Sequence, residues 1–232
     1  ENNTQEYVYA SSWGVSTRLI GALIMTHGDD KGLILPPRLA PYQIVIVPIY
    51  RSDEDKSSVM NYVDSLNKEL KDKGVRTHVD MRESMSPGFK FNDWEMKGVP
   101  LRVEVGPRDV EKGGLVYVNR LTGKKNFPTK AEFLGEVSNL LEDIQKQMFA
   151  NRLTFREENT VDVNNYDELK EAVENGKFAR TFWEGSSEDE ERIQNETKST
   201  IRNKLFEKSA ESGKCVLSGK DSTTQVIFAK SY

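Results

Sequence analysis

Apolar residues recur along this chain with two different periods, and the changes between them mark out its elements. In residues 55–73, Val59, Tyr62, Val63, Leu66 and Leu70 fall at spacings of three and four, which predicts an amphipathic helix closed by Gly74. Residues 129–148 repeat that spacing through Leu134, Val137, Leu140, Leu141, Ile144 and Met148, with Thr129 and Glu132 in capping-box register. Residues 16–26 carry Leu19, Ile20, Leu23 and Ile24 at helical spacing, with Ser16 as the cap and Gly28-Asp29 as the stop. Shorter helices are predicted at 89–96, after Pro87-Gly88, and at 166–175, before Gly176. Residues 187–198 predict an acidic, exposed helix whose run Glu188-Asp189-Glu190-Glu191 favours its N-terminus. Alternating or continuous apolar runs predict strands at 7–10, 43–49, 75–81, 99–105, 114–119, 177–183, 214–217 and 225–230, the last two as a terminal hairpin. Gly123-Lys124 marks a turn.

These elements fall into three blocks. Residues 1–41 end in a stretch broken by Pro36, Pro37 and Pro41. Residues 42–150 run β-α-β-α-β-β-α, the order of a mixed sheet with helices packed on it. Residues 151–232 form a second, small α/β unit. The fold class is α/β.

Composition narrows the function. The chain has 232 residues, 36% of them hydrophobic and 30% charged, with a formal charge of −4. Its mean hydropathy is −0.65 and its pI about 5.5. That is a globular composition with no run of the length a membrane span needs. The acidic balance gives no general attraction to nucleic acid, so an RNA-binding surface must be a local patch. The single cysteine, Cys215, excludes an internal disulfide framework and a zinc site of several thiolates, and fits a reducing, cytoplasmic compartment. The first residue is Glu1 rather than Met, as expected of a processed chain or a fragment.

A few residues have chemistry to offer, each with a plainer reading beside it. Arg18 sits in the first turn of an otherwise apolar helix, and its planar guanidinium suits a phosphate or a purine face. The plainer reading is a bridge to a carboxylate. Trp13-Gly14 could place an indole beside a small ligand, or be a core tryptophan at a turn. His27 reads as a residue at a helix C-terminus, and His78 as structural or surface. The segment 80–91 mixes basic groups and aromatics at the carboxyl end of a strand, where open α/β sheets bind ligands. Lys90, Arg102 and Arg108, with Phe89 and Phe91, suit splayed single-stranded bases, and Glu95 or Glu104 could accept from a guanine edge. The plainer reading is a solvated surface of ion pairs. There is no phosphate-cradling glycine loop, no Gly-x-Ser-x-Gly, and no His-Glu-x-x-His.

Several strings, taken in order, resemble the C-terminal half of the prolyl-tRNA synthetases of eukaryotes, archaea and some bacteria. Ser12-Trp13-Gly14-Val15-Ser16-Thr17-Arg18, His27-Gly28-Asp29-Asp30 and Gly32-Leu33-Ile34-Leu35-Pro36-Pro37-Arg38 are similar to class II motif 3 and its exit. Pro87-Gly88-Phe89-Lys90-Phe91, Trp94-Glu95, Lys97-Gly98-Val99-Pro100 and Gly106-Pro107-Arg108-Asp109 are similar to the family's anticodon-binding domain. Residues 226–232 are similar to its terminal strand, ending on Tyr232.

The resemblance implies roles for these positions. Arg18 would be the catalytic motif 3 arginine, binding ATP together with Ser16 and Thr17. Trp13 and Gly14 would line the proline pocket. Arg82, Lys90, Arg102, Glu104 and Arg108 would face the anticodon of tRNA(Pro). Tyr232 would direct its terminal carboxylate toward the catalytic domain. ATP would enter with Mg²⁺, and the full-length enzyme would be a homodimer, this piece being a monomer. Motifs 1 and 2 would lie before Glu1, so the chain alone is expected not to aminoacylate. Relatives often hold zinc through four cysteines in the last domain. Here those stretches carry Glu184, Asp189, Cys215 and Ser218, and no zinc is expected. The competing expectation is a non-catalytic RNA-binding or regulatory module with the same fold. A metalloprotein is opposed by the lone cysteine.

Overall fold

The computed structural model describes residues 7–206, 209 and 211–230. The chain divides into two compact units, Glu1–Ala150 and Asn151–Tyr232.

The first unit opens with helix α1 (Arg18–His27). Its N-cap is Thr17, not Ser16, and no side chain caps it; Gly28 ends it as the sequence predicts. The strand predicted at 7–10 does not form. Tyr7 and Tyr9 are fully exposed, at 103% and 107%. A strand must exchange backbone hydrogen bonds with a neighbour, and among the described residues none lies beside this one. No residue of α1 is buried either.

The body of this unit is a five-stranded sheet. Its elements in chain order are β1 (Ile44–Pro48), α2 (Asp53–Asp72), β2 (Thr77–Val79), α3 (Pro87–Met96), β3 (Leu101–Val105), α4 (Pro107–Glu111), β4 (Val116–Asn119), β5 (Lys125–Asn126) and the greater part of α5 (Lys130–Glu158), whose last residues lie past Ala150. The strand order is β2-β1-β3-β4-β5. The pairs β1–β2 and β1–β3 are parallel, and β3–β4 and β4–β5 antiparallel. This is the mixed sheet the element order predicted. One face carries the main core, where Ile44, Ile46, Leu101 and Val103 meet Val63 and Leu66 of α2 and Val137 and Ile144 of α5. On the other face Val45 and Val47 pack under Trp94 of α3. Burying β1 on both faces explains its unbroken apolar sequence. The capping box of α5 is present: Thr129 N–H donates to Glu132 Oε2 at 2.8 Å, and Glu132 N–H to Thr129 Oγ1 at 3.3 Å.

Residues 29–41 lie stitched against this body. Arg120, only 7% exposed, donates from Nη1 and Nη2 to both oxygens of Asp29, at 2.9 and 2.6 Å. It also donates to the carbonyls of Gly32 and Glu95. Leu33 N–H bonds Met96 O, and Leu35 N–H bonds Gly98 O. Arg76 donates to the carbonyls of Pro37 and Ala40, and Arg38 pairs with Glu142 at 3.0 Å. Two glycines permit the close approach. Gly32 has φ +125°, and a Cβ there would lie 2.5 Å from Met96 Cα; a Cβ on Gly98, at φ +76°, would strike the carbonyl of Leu33.

The second unit contains β6 (Thr160–Asp162), α6 (Tyr166–Glu174), β7 (Phe178–Phe182), α7 (Ser187–Thr197), β8 (Ser199–Lys204), β9 (Gly213–Lys214), β10 (Asp221–Ser222) and β11 (Gln225–Lys230). Four strands form a sheet in the order β6-β7-β11-β8. Its core joins Val226 and Phe228 to Leu169 and Val173 of α6 and Ile193 of α7. The predicted terminal hairpin is corrected here. β11 lies between β7 and β8, while the segment near Lys214 pairs with β10 instead. β11 has apolar residues enough to be a central strand, and β8, with its polar sequence, supplies the edge. Ser186 and Asp189 form the capping box of α7, whose first turn is acidic as expected. Among the described residues no helix is long and apolar enough to cross a membrane.

Candidate functional site

The segment after β2 is organised around one carboxylate. Asp80 is 0% exposed. Arg82 donates to it from Nε at 2.9 Å and Nη2 at 2.6 Å, and Trp94 from Nε1 at 2.8 Å. Burial alone would raise its pKa, but the donors of Arg82 and Trp94 outweigh burial and hold it below the usual carboxylate range. Arg82 also reaches Asp93 at 2.8 Å. Lys90 is 5% exposed; its Nζ donates to the Asp80 carbonyl at 3.1 Å and stands 3.9 Å from Oδ1. Ser86 caps α3, with Pro87 in its first turn, and that start turns Lys90 and Trp94 inward. The sequence takes Lys90 for a surface contact to RNA. The structure makes it an internal strut, because a buried carboxylate needs a cation beside it. His78 is structural, stacked on Tyr42 at 5.0 Å and tilted against Trp94 at 5.1 Å.

Arg102 and Glu104 lie two residues apart on β3, so both point to the face opposite the main core. They pair at 2.9 Å, with side chains 11% and 9% exposed. The Arg102 guanidinium sits 4.4 Å from the Phe91 ring centroid and donates to the Phe91 carbonyl. Lys125 Nζ, on β5, lies 3.7 Å from Glu104 Oε2. Register places Val118 beside Arg102 and Val116 beside Glu104. The result is a sheet face bearing a guanidinium, a carboxylate, an ammonium and an aromatic ring, flanked by a small crevice that Glu95 and Trp94 line. Arginine and lysine offer donors, glutamate an acceptor, and the ring a stacking surface. Unstacked bases need that set.

Arg108 stands apart from both groups. It is exposed on α4, and among the described residues its side chain has no hydrogen bond or ion pair. The five residues expected to form one patch therefore occupy three places. Sequence reasoning missed Asp80 and Lys125; a carboxylate two residues before an arginine at a strand end was the available signal for the first. In the first block Trp13 is 97% exposed, no atom lies within 4 Å of a Cβ on Gly14, and Ser16, Thr17 and Arg18 are exposed. Arg18 is thus an exposed arginine at the start of a helix none of whose residues is buried. Tyr232 lies outside the described residues. Among the described residues no group of three or more His, Cys, Asp or Glu stands together as a metal site.

Comparison with known proteins gives the following likenesses. Residues 43–146 match the family model described as an anticodon binding domain. Residues 166–232 match the C-terminal domain of prolyl-tRNA synthetase. A proline–tRNA ligase of Roseiflexus sp. (strain RS-1) is 51% identical over 235 residues, covering 100% of this chain and 48% of that protein. The chloroplastic/mitochondrial proline–tRNA ligase of Arabidopsis thaliana is 44% identical, over 100% of this chain and 44% of that protein. The crystal structure of prolyl-tRNA synthetase from Cryptosporidium parvum, complexed with L-proline and AMP, superposes with a TM-score of 0.83 at 33% identity. It matches 93% of this chain and 46% of its own. The chain thus spans about half the length of the curated relatives it matches.

Proposed function

The chain belongs to the prolyl-tRNA synthetase family, matching the C-terminal half of its relatives, and on that premise we propose that it is the tRNA-reading part of a proline–tRNA ligase. The whole enzyme activates proline with ATP, releases pyrophosphate and transfers the prolyl group to the 3′ end of tRNA(Pro). ATP enters with Mg²⁺ as substrate. The enzyme works in the cytoplasm as a homodimer. Residues 1–41 are the end of the catalytic core, 42–150 the anticodon-binding domain and 151–232 the C-terminal domain. In the first segment Arg18 holds ATP with Ser16 and Thr17, and Trp13 and Gly14 line the proline side. Zinc has no part in the last segment, whose own apolar core holds it together.

The observation that carries this reading is the Arg102–Glu104 pair on the sheet face opposite the main core, beside Phe91. A guanine offers N1–H and N2–H₂ to the carboxylate, and O6 and N7 to the guanidinium. Prepaired, the two side chains lose little freedom when a base arrives. Catalysis in such an enzyme rests on positioning and on phosphate electrostatics, so the tRNA half contributes by orientation.

The test is aminoacylation by the full-length protein with Arg102→Gln or Glu104→Gln, using tRNA(Pro) and the same tRNA with a swapped anticodon. Each substitution is expected to cost ~1–3 kcal/mol for the proline anticodon and little for the swapped one. Discrimination equal to the parent's would remove this face from the site. Charging with an amino acid other than proline would overturn the activity.

A further inference from the structure

Arg120 joins three parts of the first unit that are remote in sequence. It follows β4, and its N–H donates to the carbonyl of Pro100, just before β3 begins. It therefore lies at the amino end of β3, away from the carboxyl ends of the parallel strands. Its buried side chain makes four hydrogen bonds: Nη1 and Nη2 to the two carboxylate oxygens of Asp29, Nη2 also to the carbonyl of Gly32 at 3.2 Å, and Nε to the carbonyl of Glu95 at 2.9 Å. Glu95 is in the last turn of α3, and Asp29 directly follows Gly28, the residue that ends α1. Asp29 is fixed in turn by its own backbone, which exchanges two hydrogen bonds with Gly32 at 2.9 and 3.0 Å. Lys31 adds an ion pair to Glu95 at 3.5 Å. One guanidinium thus ties the end of α1 to α3 and β4.

Stability alone does not account for a charge in that place. Taking a guanidinium out of water costs about as much as one carboxylate returns, and a well-packed apolar side chain would serve the fold as well. A planar fork on a carboxylate adds a single geometry, and a buried ion pair is best suited to fixing register. Here the two parts held in register are α1, which carries Arg18, and the body formed by α3, β3 and β4, which carries the base-reading face.

We propose that Arg120 is a positioning residue for prolyl transfer: by clamping Asp29 it sets the angle between α1 and the tRNA-reading body, and so where the 3′ end of the tRNA meets the activated proline. This deepens the function proposed above and rests on it. In that enzyme α1 belongs to the catalytic core, where proline and ATP react without the tRNA. Activation does not depend on the angle. Transfer does, because its two reactants are held by different parts, and a misplacement of about 1 Å from a remote change can cost on the order of a hundredfold. The remaining bonds of residues 29–41 survive the loss of the clamp, which limits the expected effect to about tenfold.

The full-length protein would be assayed with Arg120→Gln, and with Asp29→Asn, whose half-exposed side chain makes it the milder change should the first variant fold poorly. Proline-dependent ATP–pyrophosphate exchange without tRNA is expected to stay within about twofold of the parent. For aminoacylation of tRNA(Pro), kcat is expected to fall about tenfold with KM for the tRNA unchanged. Arg120→Lys keeps the charge and loses the fork, and is expected to fall with the glutamine variant. The double variant is expected to lose no more than the worse single one, since both break the same contact. An equal loss in exchange and in aminoacylation would show that the clamp only holds the fold, and would overturn the proposal. So would an unchanged kcat, or a loss confined to KM for the tRNA. Arg102→Gln and Glu104→Gln separate this idea from the base-reading one. If they leave anticodon discrimination intact while the clamp variants lose transfer alone, the base-reading face is wrong and the clamp stands. A parent protein that charges no proline onto tRNA(Pro) would overturn both.

Discussion

Asp29 and Thr181 show how differently a polar side chain can stand in this chain. Hydrogen bonds from Arg120 hold the Asp29 carboxyl at about 2, down from an ordinary 3.8. A depressed acid contributes stability that is present above its unfolded pKa and lost as pH falls through the folded one. The contribution of Asp29 should therefore fade between about pH 4 and pH 2. Its side chain is 42% exposed, so solvent discounts the effect. Asp29→Asn should cost about 1 kcal/mol at neutral pH and flatten acid unfolding over that window, as followed by urea denaturation at a series of pH values. Thr181 is 2% exposed, and its Oγ1 has no partner among the described residues. Thr181→Val removes a desolvated hydroxyl without changing shape and should stabilise the chain by about 1 kcal/mol, seen as a raised melting temperature. Neither feature shows in the sequence. Asp29 meets an arginine 91 positions away, and a threonine in a strand gives no sign of whether its hydroxyl finds a partner. Lys90 is the same lesson at the candidate site: lysine is a surface residue by default, and only the buried Asp80 beside it reverses that.

Among the elements, helices were the legible part. A period of 3.6 over several turns leaves a pattern few other structures produce; α2 falls where it predicts, and α5 starts there but runs on to Glu158, while α6 and α7 were legible from the Gly176 stop and the acidic run 188–191. Strands were legible where the sheet buries both faces, as in β1, or alternates cleanly, as in β3. β6 has three residues, and β8 carries one apolar side chain, Ile201, among six, so neither gives a signal. Pairing partners were least legible, because β11 reads the same whether its neighbour is β8 or the segment at Lys214. α3 also shows why the site was only half visible. Its residues were noticed, but the inward turn imposed by Ser86 and Pro87 belongs to the helix as a whole. At its far end, Gly98 sits at φ +76° against the Leu33 carbonyl. Gly98→Ala should combine backbone strain with a clash and cost at least ~2 kcal/mol. A matched drop in the midpoint of urea unfolding would verify it; an unchanged midpoint would mean that the 32–35 strip carries no stability.

At the scale of the whole molecule, α1 is the conspicuous surface. Leu19, Ile20, Ile24 and Met25 are 59%, 61%, 50% and 61% exposed. The relatives are about twice as long as this chain, and in the proposed enzyme the rest of the catalytic core covers that face. The double substitution Ile20→Glu with Ile24→Glu should leave the melting of the 232-residue chain within ~0.5 kcal/mol. In the full-length protein it should cost several kcal/mol, since it would bury two charges without partners. Equal effects in both would show that nothing covers α1. The stitching of residues 29–41 has a practical bearing on how this protein is divided in the laboratory. A recombinant piece that starts at Tyr42, where the proline-rich stretch invites a cut, leaves Arg120 buried with no counter-ion and strips Gly98 and Met96 of their backbone partners. A piece that starts at Gly28 keeps every one of those bonds. The earlier start should give the soluble, crystallisable domain, and the later one an aggregating or loosely folded one, although the two differ by only fourteen residues outside the sheet.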